Sequence, residues 1–286
     1  MDIHSLQIFK AIADHGSFSA AAHQLNYAQS NISTRIQQLE EELHCPLFYR
    51  NNRGIALTPK GQLLRAYADS ILNLVDKTTA IMQEDGIARG PLAIGSMETT
   101  AIVHLPGLLA AYHRQYPEVS LSLSTGNTAQ NMEAVLNHTL DGAFVAGPVR
   151  HPELLQQDYH QEHLHLVTDS LHARTGSWRK LEQQTLLVFP YGCSYRALLE
   201  RLLEKRNIVT NNIIEFNSLG AMLASICAGL GMSLLPESIT ASYIQSGQMS
   251  GLEIPAAYAD AMTVFIYRKD HIPNAAFIKF LELVRA

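Results

Sequence analysis

Apolar positions recur at helical spacing through the first part of the chain. Leu6, Phe9, Ile12 and Ala13 form one side of a first helix, and Ala20, Ala21, Ala22 and Leu25 mark a second, shorter one. Ile32, Ile36, Leu39 and Leu43 follow at steps of four, three and four, the single stripe of an amphipathic helix. Asn26-Tyr27 falls between the second and third helices as a tight turn. The runs Leu47-Phe48-Tyr49-Arg50 and Ile55-Ala56-Leu57 flank Asn51-Asn52-Arg53-Gly54, which predicts a two-stranded wing closed by a glycine-containing turn. From about Pro59 to Arg89 the residues Leu63, Leu64, Tyr67, Ile71, Leu74, Val75, Ile81 and Met82 predict one long helix of roughly seven turns. Gly86, Gly90 and Pro91 break it.

Beyond residue 91 strand-like and helix-like runs alternate. Pro91–Gly95, Val119–Ser124 and Gly142–Ala146 read as strands, separated by helices over Ile102–Tyr116 and Met132–His138. That order predicts a parallel α/β sheet. A second unit starts near His163, with strands at Leu164–Val167, Thr185–Phe189 and Ile213–Phe216. Helices are expected at Tyr195–Arg206 and Leu219–Ala228, a stop and strand over Gly229–Pro236, a strand at Ala261–Tyr267 and a last helix at Ala275–Val284. The fold class is therefore α/β, preceded by an all-α winged helix-turn-helix domain. The boundaries are 1–60 for the DNA-binding domain, 61–90 for a linker and dimerisation helix with its hinge, and 91–286 for an effector-binding domain. Within the last, lobe I is 91–160 plus 265–286 and lobe II is 161–264, with crossovers near 158–163 and 263–267.

A helix-turn-helix places its second helix in the DNA major groove. The outward residues near the start of that helix are Gln29, Ser30, Asn31, Ser33, Thr34 and Arg35, and all can bond to base edges or phosphates. Arg50 and Arg53 would anchor the wing on phosphate or in the minor groove. Charge tempers this reading: residues 1–60 carry as many acidic as basic side chains, so binding is expected to rely on local clustering and on paired subunits. Glu40, Glu41 and Glu42 must face away from DNA or be paired.

In open α/β sheets ligands bind beyond the carboxyl ends of the strands. That rule selects Ser96, Thr99, Thr100, Thr125, Asn127, Ala146, Cys193, Ser194 and Asn217 as effector-binding candidates. Hydroxyls and amides at helix starts suit a small molecule, and an anion in particular, although helix capping alone also accounts for any single one of them. Arg196 is a cation within reach of such an anion or of a neighbouring acid. Cys193 at a helix start is a candidate for a lowered thiol pKa and a redox role, weighed against a small residue lining the cleft.

The chain has 286 residues, 47% hydrophobic and 16% charged, with a net charge of −5, which fits a globular protein of about two domains rather than a nucleic-acid tail or membrane-surface patch. No run approaches the roughly 18 apolar residues of a membrane span. Met1-Asp2-Ile3-His4 shows no secretory pattern, and Cys45, Cys193 and Cys227 are odd in number and far apart, so a cytoplasmic setting with reduced thiols is expected. His160, His163 and His165, with His172 nearby, could hold a transition metal, but solvated strand-edge histidines are the simpler reading and neither a metal nor a cofactor is expected. Catalytic triads, phosphate loops and dinucleotide fingerprints are absent from the sequence, so no enzyme activity is expected.

Leu6-Gln-Ile-Phe9, Gly16–Ala22, Leu25, Gln29-Ser30, Ile32-Ser33, Ile36, Leu39-Glu40, Leu43, Pro46-Leu47-Phe48, Arg50, Leu57-Thr58 and Gly61 together resemble the winged helix-turn-helix of LysR-type transcriptional regulators. The two α/β lobes resemble the periplasmic-binding-protein fold that forms the effector-sensing half of that family. The resemblance implies a regulator whose partners are promoter DNA, a small-molecule effector and further copies of itself as a dimer or tetramer, with RNA polymerase a candidate partner and no membrane. A solute-binding protein and a cytoplasmic α/β enzyme are the competing classes.

Overall fold

The computed structural model describes residues 1–51, 54–82, 86–170, 184–208 and 212–285. The chain divides into two compact units, Met1–Glu84 and Asp85–Ala286.

The first unit packs helices α1 (Ile3–His15), α2 (Phe18–Gln24) and α3 (Gln29–Glu42) beside a hairpin of β1 (Phe48–Asn51) and β2 (Gly54–Leu57), followed by α4 (Pro59–Met82). Local signals set the helix ends. The Asp2 carboxylate accepts the Ser5 N–H at 2.8 Å, and Gly16, at φ 60°, turns its N–H back to the Ile12 carbonyl. Ser17 caps α2, and Asn26, at φ 57°, reverses the chain before α3. Ala21 and Ala22 are buried, which lets α2 cross its neighbours closely, and Ile32, Ile36 and Leu39 face the same core. Phe48 brings the hairpin onto that core, its ring 5.2 Å from that of Phe9. Glu40 accepts the backbone N–H groups of Leu47 and Phe48 at 2.7 and 3.3 Å, so this acid pins the start of the wing. Asn52 and Arg53, where the sequence predicts the turn, lie outside the described residues.

Helix α4 is described as far as Met82, and residues 86–89, which the sequence places in the same helix, are not helical. Its first half packs on α1 through Ala68 and Leu72, with Lys10 paired to Asp69 and Arg65 to Asp14. Thr58 begins it, donating to the Pro46 carbonyl at 2.7 Å and accepting the Gly61 N–H at 2.9 Å. Leu63, Tyr67 and Leu74 lie half or more exposed along α4.

The second unit starts with β3 (Gly90–Ser96), α5 (Glu98–Val103), α6 (Leu105–Gln115), β4 (Val119–Thr125), α7 (Thr128–Leu136) and β5 (Gly142–Ala146). The single helix expected over Ile102–Tyr116 is two, broken at His104. Pro106, in the first turn of α6, has no N–H to continue the earlier helix. β6 (Leu154–Asp169) follows, then β7 (Leu186–Val188), α8 (Ser194–Lys205), β8 (Ile213–Glu215), α9 (Leu219–Cys227) and β9 (Ser233–Pro236). The unit closes with α10 (Glu237–Gln245), β10 (Met249–Leu252), α11 (Ala256–Ala259), β11 (Asp260–Arg268) and α12 (Ala275–Arg285).

The sheet is mixed rather than parallel. In lobe I the order is β4-β3-β5-β11-β6: the first three run parallel, and β11 lies antiparallel to both of its neighbours. Lobe II repeats the scheme. β8 and β7 pair in parallel, Met232 just ahead of β9 bridges in parallel to Leu186, and β9 and β10 flank β6 antiparallel. β6 is one strand of 16 residues shared by both lobes. Its pairing passes from β11 to β9 and β10 between His163 and Leu164.

The lobe I core sets Tyr112, Phe144, Phe265, Phe277 and Phe280 against Leu92 and Ile94. Tyr112 is fully buried and its hydroxyl donates to the Ala276 carbonyl at 2.7 Å, tying α6 to α12. Burial first, then the charges of Tyr116 and Asp141, push that hydroxyl well above its ordinary value of 10.0. The unfolded chain therefore sheds this proton first. The contribution is intact below pH 10 and drains away as pH rises past it. Tyr112→Phe should cost about 1–2 kcal/mol at neutral pH. Measured by denaturant titration across alkaline pH, it should also flatten the fall in stability by one proton; an unchanged slope would refute the assignment.

Candidate DNA-reading face and effector cleft

Helix α3 keeps Ile32, Ile36 and Leu39 inward, which leaves Gln29, Ser30, Asn31, Thr34 and Arg35 exposed and Ser33 half-buried. At 100° per residue, Ser30 and Thr34 lie opposite the buried stripe, with Asn31, Ser33, Gln37 and Gln38 to either side. Gln29 turns toward α2 and accepts the Ser19 hydroxyl at 2.8 Å. Arg35 leans the other way, 3.6 Å from the Asp2 carboxylate. Of the three acids at the far end, Glu40 caps the wing, Glu41 accepts from Gln37 at 3.1 Å and Glu42 pairs with the chain's first amino group. Arg50 sits in β1 opposite Ile55; Arg53 lies outside the described residues.

In the second unit a cleft of about 240 Å³ opens between the lobes. Of the residues selected from sequence, Thr99, Thr125, Asn127, Cys193, Ser194 and Asn217 line it. Ser96, Thr100 and Ala146 do not. Ser96 is buried and donates to the Met97 carbonyl at 2.9 Å, Thr100 is buried, and Ala146 contributes an N–H to Thr128 Oγ1 at 3.2 Å. The wall is completed by Met97, Glu98, Gly126, Thr128, Gln130, Phe189, Pro190 and Tyr195.

Two links cross the cleft. Asn127 caps α7 with its side-chain oxygen and donates its amide to the Tyr191 carbonyl of lobe II at 3.1 Å. Glu98 of lobe I accepts the Leu219 N–H at the start of α9 at 3.3 Å. Ser194 Oγ is buried and has no hydrogen-bond partner among the described residues. Burial foremost, with smaller contributions from the charges of Glu162 and Cys193, pushes the Tyr195 hydroxyl up, while the nearby Thr99 hydroxyl pulls the other way.

Of the two partners the sequence left open for Arg196, neighbouring acids hold it: its guanidinium bonds Glu200 at 2.8 Å, Glu215 at 2.8 Å and the Phe189 carbonyl at 3.0 Å, and stacks on the Tyr191 ring. Among the described residues Glu98 is the charged side chain in the lining, and no basic group stands beside it. The Cys193 thiol is pushed up rather than down, because burial outweighs the hydrogen bonds from the first amides of α8.

The profile of the LysR substrate binding domain matches residues 86–286, and that of the bacterial regulatory helix-turn-helix protein, lysR family, matches residues 3–62. The chain belongs to the LysR family. The HTH-type transcriptional regulator GltR of Bacillus subtilis (strain 168) is 46% identical over 285 residues, covering 100% of this chain and 96% of the relative. A solved structure of CbnR, a LysR family transcriptional regulator, is 26% identical, covers 100% of this chain and 98% of the other, and superposes with a TM-score of 0.72. Full-length CbnR complexed with its target DNA is likewise 26% identical, covers 100% and 99%, and has a TM-score of 0.71.

The molecule is thus a LysR-type DNA-binding transcriptional regulator with an effector-binding domain, and not an enzyme. The solute-binding and enzyme classes fall away, because neither accounts for the matched helix-turn-helix. Among the described residues, no helix of this regulator is long and apolar enough to cross a membrane. Sequence reasoning missed Glu98, Gln130, Met97, Phe189 and Pro190 in the cleft. Placing the start of α5 at Glu98 rather than near Ile102 would have found the first of these, since it puts an acid in the first turn facing the opposite lobe.

Proposed function

We propose that Ser30, Asn31 and Thr34 read base edges, with Gln29, Ser33, Arg35, Arg50 and Arg53 positioning the helix and wing on phosphates. A small polar effector occupies the interlobe cleft against Thr99, Thr125, Asn127, Cys193, Ser194 and Asn217, while Ser96, Thr100 and Ala146 support the wall from behind. The observation that carries this reading is the pair of links across the cleft, Asn127 to Tyr191 and Glu98 to Leu219, next to the unpartnered Ser194 hydroxyl. A molecule that satisfies Ser194 and competes for those links has differential affinity for two lobe arrangements, which is what an effector needs to shift an equilibrium. Of the effectors the sequence left open, a neutral or zwitterionic hydrogen-bond acceptor suits the described lining better than an anion, because Glu98 is its charged side chain. The regulator works in the cytoplasm, with RNA polymerase a further partner.

Titration of the full chain against the DNA upstream of its own gene, with random duplex as competitor, tests the reading. Tight, competitor-resistant binding that shifts with a cleft ligand, and no longer shifts in Ser194→Ala, is expected. Binding no stronger than to random DNA across a genomic fragment library would overturn it.

The exposed apolar residues of α4 are the contact between subunits in this proposal, because paired subunits match paired DNA half-sites. Tyr67→Glu with Leu74→Glu should shift the assembly to monomer in sedimentation and weaken DNA binding at least tenfold, with the thermal midpoint of the second unit unchanged. An unchanged sedimentation coefficient would remove α4 from the interface.

A further inference from the structure

Sequence gathers His160, His163 and His165 on one strand; in the structure the His163 and His165 rings stay together, their centroids 5.2 Å apart, and His160 turns elsewhere. His163 pairs with Asp260, its Nδ1 3.1 Å from the carboxylate, and His165 packs beside Gly251. His160 instead stacks on His104, with ring centroids 3.9 Å apart. The cause is a bulge in β6: Thr263 faces His160 and Val264 faces Asp158, leaving Tyr159 as the extra residue. Bulges re-aim side chains, and here two consecutive residues reach the same place. The Tyr159 hydroxyl donates to the His104 carbonyl at 3.2 Å while the His160 ring lies against the His104 ring. Glu162, two residues on along the strand, is 2% exposed and meets His104 Nε2 through Oε1. Its other oxygen accepts the Ser238 hydroxyl at 2.8 Å.

One donor atom each from His104, His160 and Glu162 lie within 4.8 Å of one another. We propose that these three residues bind a divalent transition metal of the zinc class at the junction of the lobes. Two imidazoles and a carboxylate fill three places of a tetrahedral zinc centre, and the solvent-facing side beside His160 leaves the fourth to water. A nitrogen-rich donor set of this kind selects zinc, cobalt or nickel over magnesium and calcium. Ligand distances of about 2.0–2.2 Å put tetrahedral donors roughly 3.4 Å apart, so His104 Nε2 and Glu162 Oε1 must ease apart from hydrogen-bond distance while His160 closes in by roughly an ångström. The exposed His160 ring is able to make that movement. His104 Nε2 gives up the hydrogen it shares with Glu162 and carries it on Nδ1. Ser238 fixes the carboxylate from behind, as outer hydrogen bonds do at metal centres.

The site joins three elements. His104 stands between α5 and α6 of lobe I, His160 and Glu162 stand on the shared strand, and Ser238 stands on α10 of lobe II. An ion there would hold lobe I to the strand that leads into lobe II, a second input separate from the cleft.

The test uses untagged full-length protein stripped by a chelator, titrated with Zn²⁺ against a chromophoric competitor and with Co²⁺ followed by its visible spectrum. Wild type should bind one more ion per chain than His160→Ala, a variant that folds because the ring is exposed. His163→Ala should bind as wild type does. Ser238→Ala should bind about tenfold more weakly. Zn²⁺ should raise the melting temperature of wild type and not of His160→Ala. Equal stoichiometry and affinity in wild type and His160→Ala would overturn the proposal and leave the cluster a hydrogen-bonded latch. Loss in His163→Ala instead would place the ion at the strand-edge histidines and overturn it equally. Neither result touches the DNA or effector reading, which is measured without metal.

Discussion

Replacing Ser30, Asn31 and Thr34 together by alanine should lower affinity for the regulator's specific DNA by a few hundredfold while leaving its affinity for scrambled duplex unchanged. The three lie on the exposed side of α3, opposite Ile32, Ile36 and Leu39. An asparagine bonded twice to adenine discriminates by about 1–3 kcal/mol, and hydroxyl contacts add less, so a total of about 3–4 kcal/mol is expected. Non-specific binding rests on phosphate contacts, which this variant retains. Anisotropy titrations on both duplexes at one salt concentration read the difference, and the thermal midpoint controls for folding because alanine suits an exposed helix position. If the specific curve stays where it was, base reading belongs to another part of the unit.

Gly61→Ala should unfold the first unit at temperatures where the second is intact. A Cβ at this position would stand 2.1 Å from the Leu47 carbonyl oxygen and 3.0 Å from a Leu57 methyl. That carbonyl cannot swing away, because it accepts the Thr58 N–H at 2.9 Å where the wing meets α4. Overpacking of this kind costs about 3 kcal/mol, and in a unit of this size that lowers the melting temperature by roughly 10–25 °C. Calorimetry of the full chain should show one transition split off to lower temperature, with DNA binding lost alongside it. A variant that melts as wild type does would mean the helix approaches the wing less closely than described.

The first unit was the more legible in sequence because its signals are local. The stripe of Ile32, Ile36 and Leu39, the small pair Ala21-Ala22, the caps at Asp2, Ser17 and Gly16 and the turn at Asn26 all act within a few residues of themselves. The strands flanking the cleft were legible for the same reason, and with them six of its lining residues. The shared strand was not. From Gln156 to His163 it reads Gln-Gln-Asp-Tyr-His-Gln-Glu-His, with no alternation to mark a strand, because much of it is exposed and its pairing with β11 is set by residues about a hundred positions away. The meeting of His104 with Glu162 was out of reach for that reason. It depends on a helix break at Pro106 and a bulge at Tyr159, and neither leaves a sign in the spacing of the histidines. The sequence left Arg196 open between a ligand anion and a neighbouring acid, because its partner Glu215 is brought in from β8 by the fold.

The pairing of β6 with β11 also says something about how the chain is threaded. His163 and Asp260 face each other across that ladder, and everything between them, lobe II entire, hangs from the tip of what is topologically a hairpin. The polypeptide departs and comes back through neighbouring strands, with no other covalent tether. In chain order lobe II is accordingly an insertion. Joining the two facing positions through a two-residue turn would restore an ordinary hairpin and leave lobe I with its sheet order unbroken, giving a minimal scaffold on which other sensing modules can be spliced at the same pair of residues.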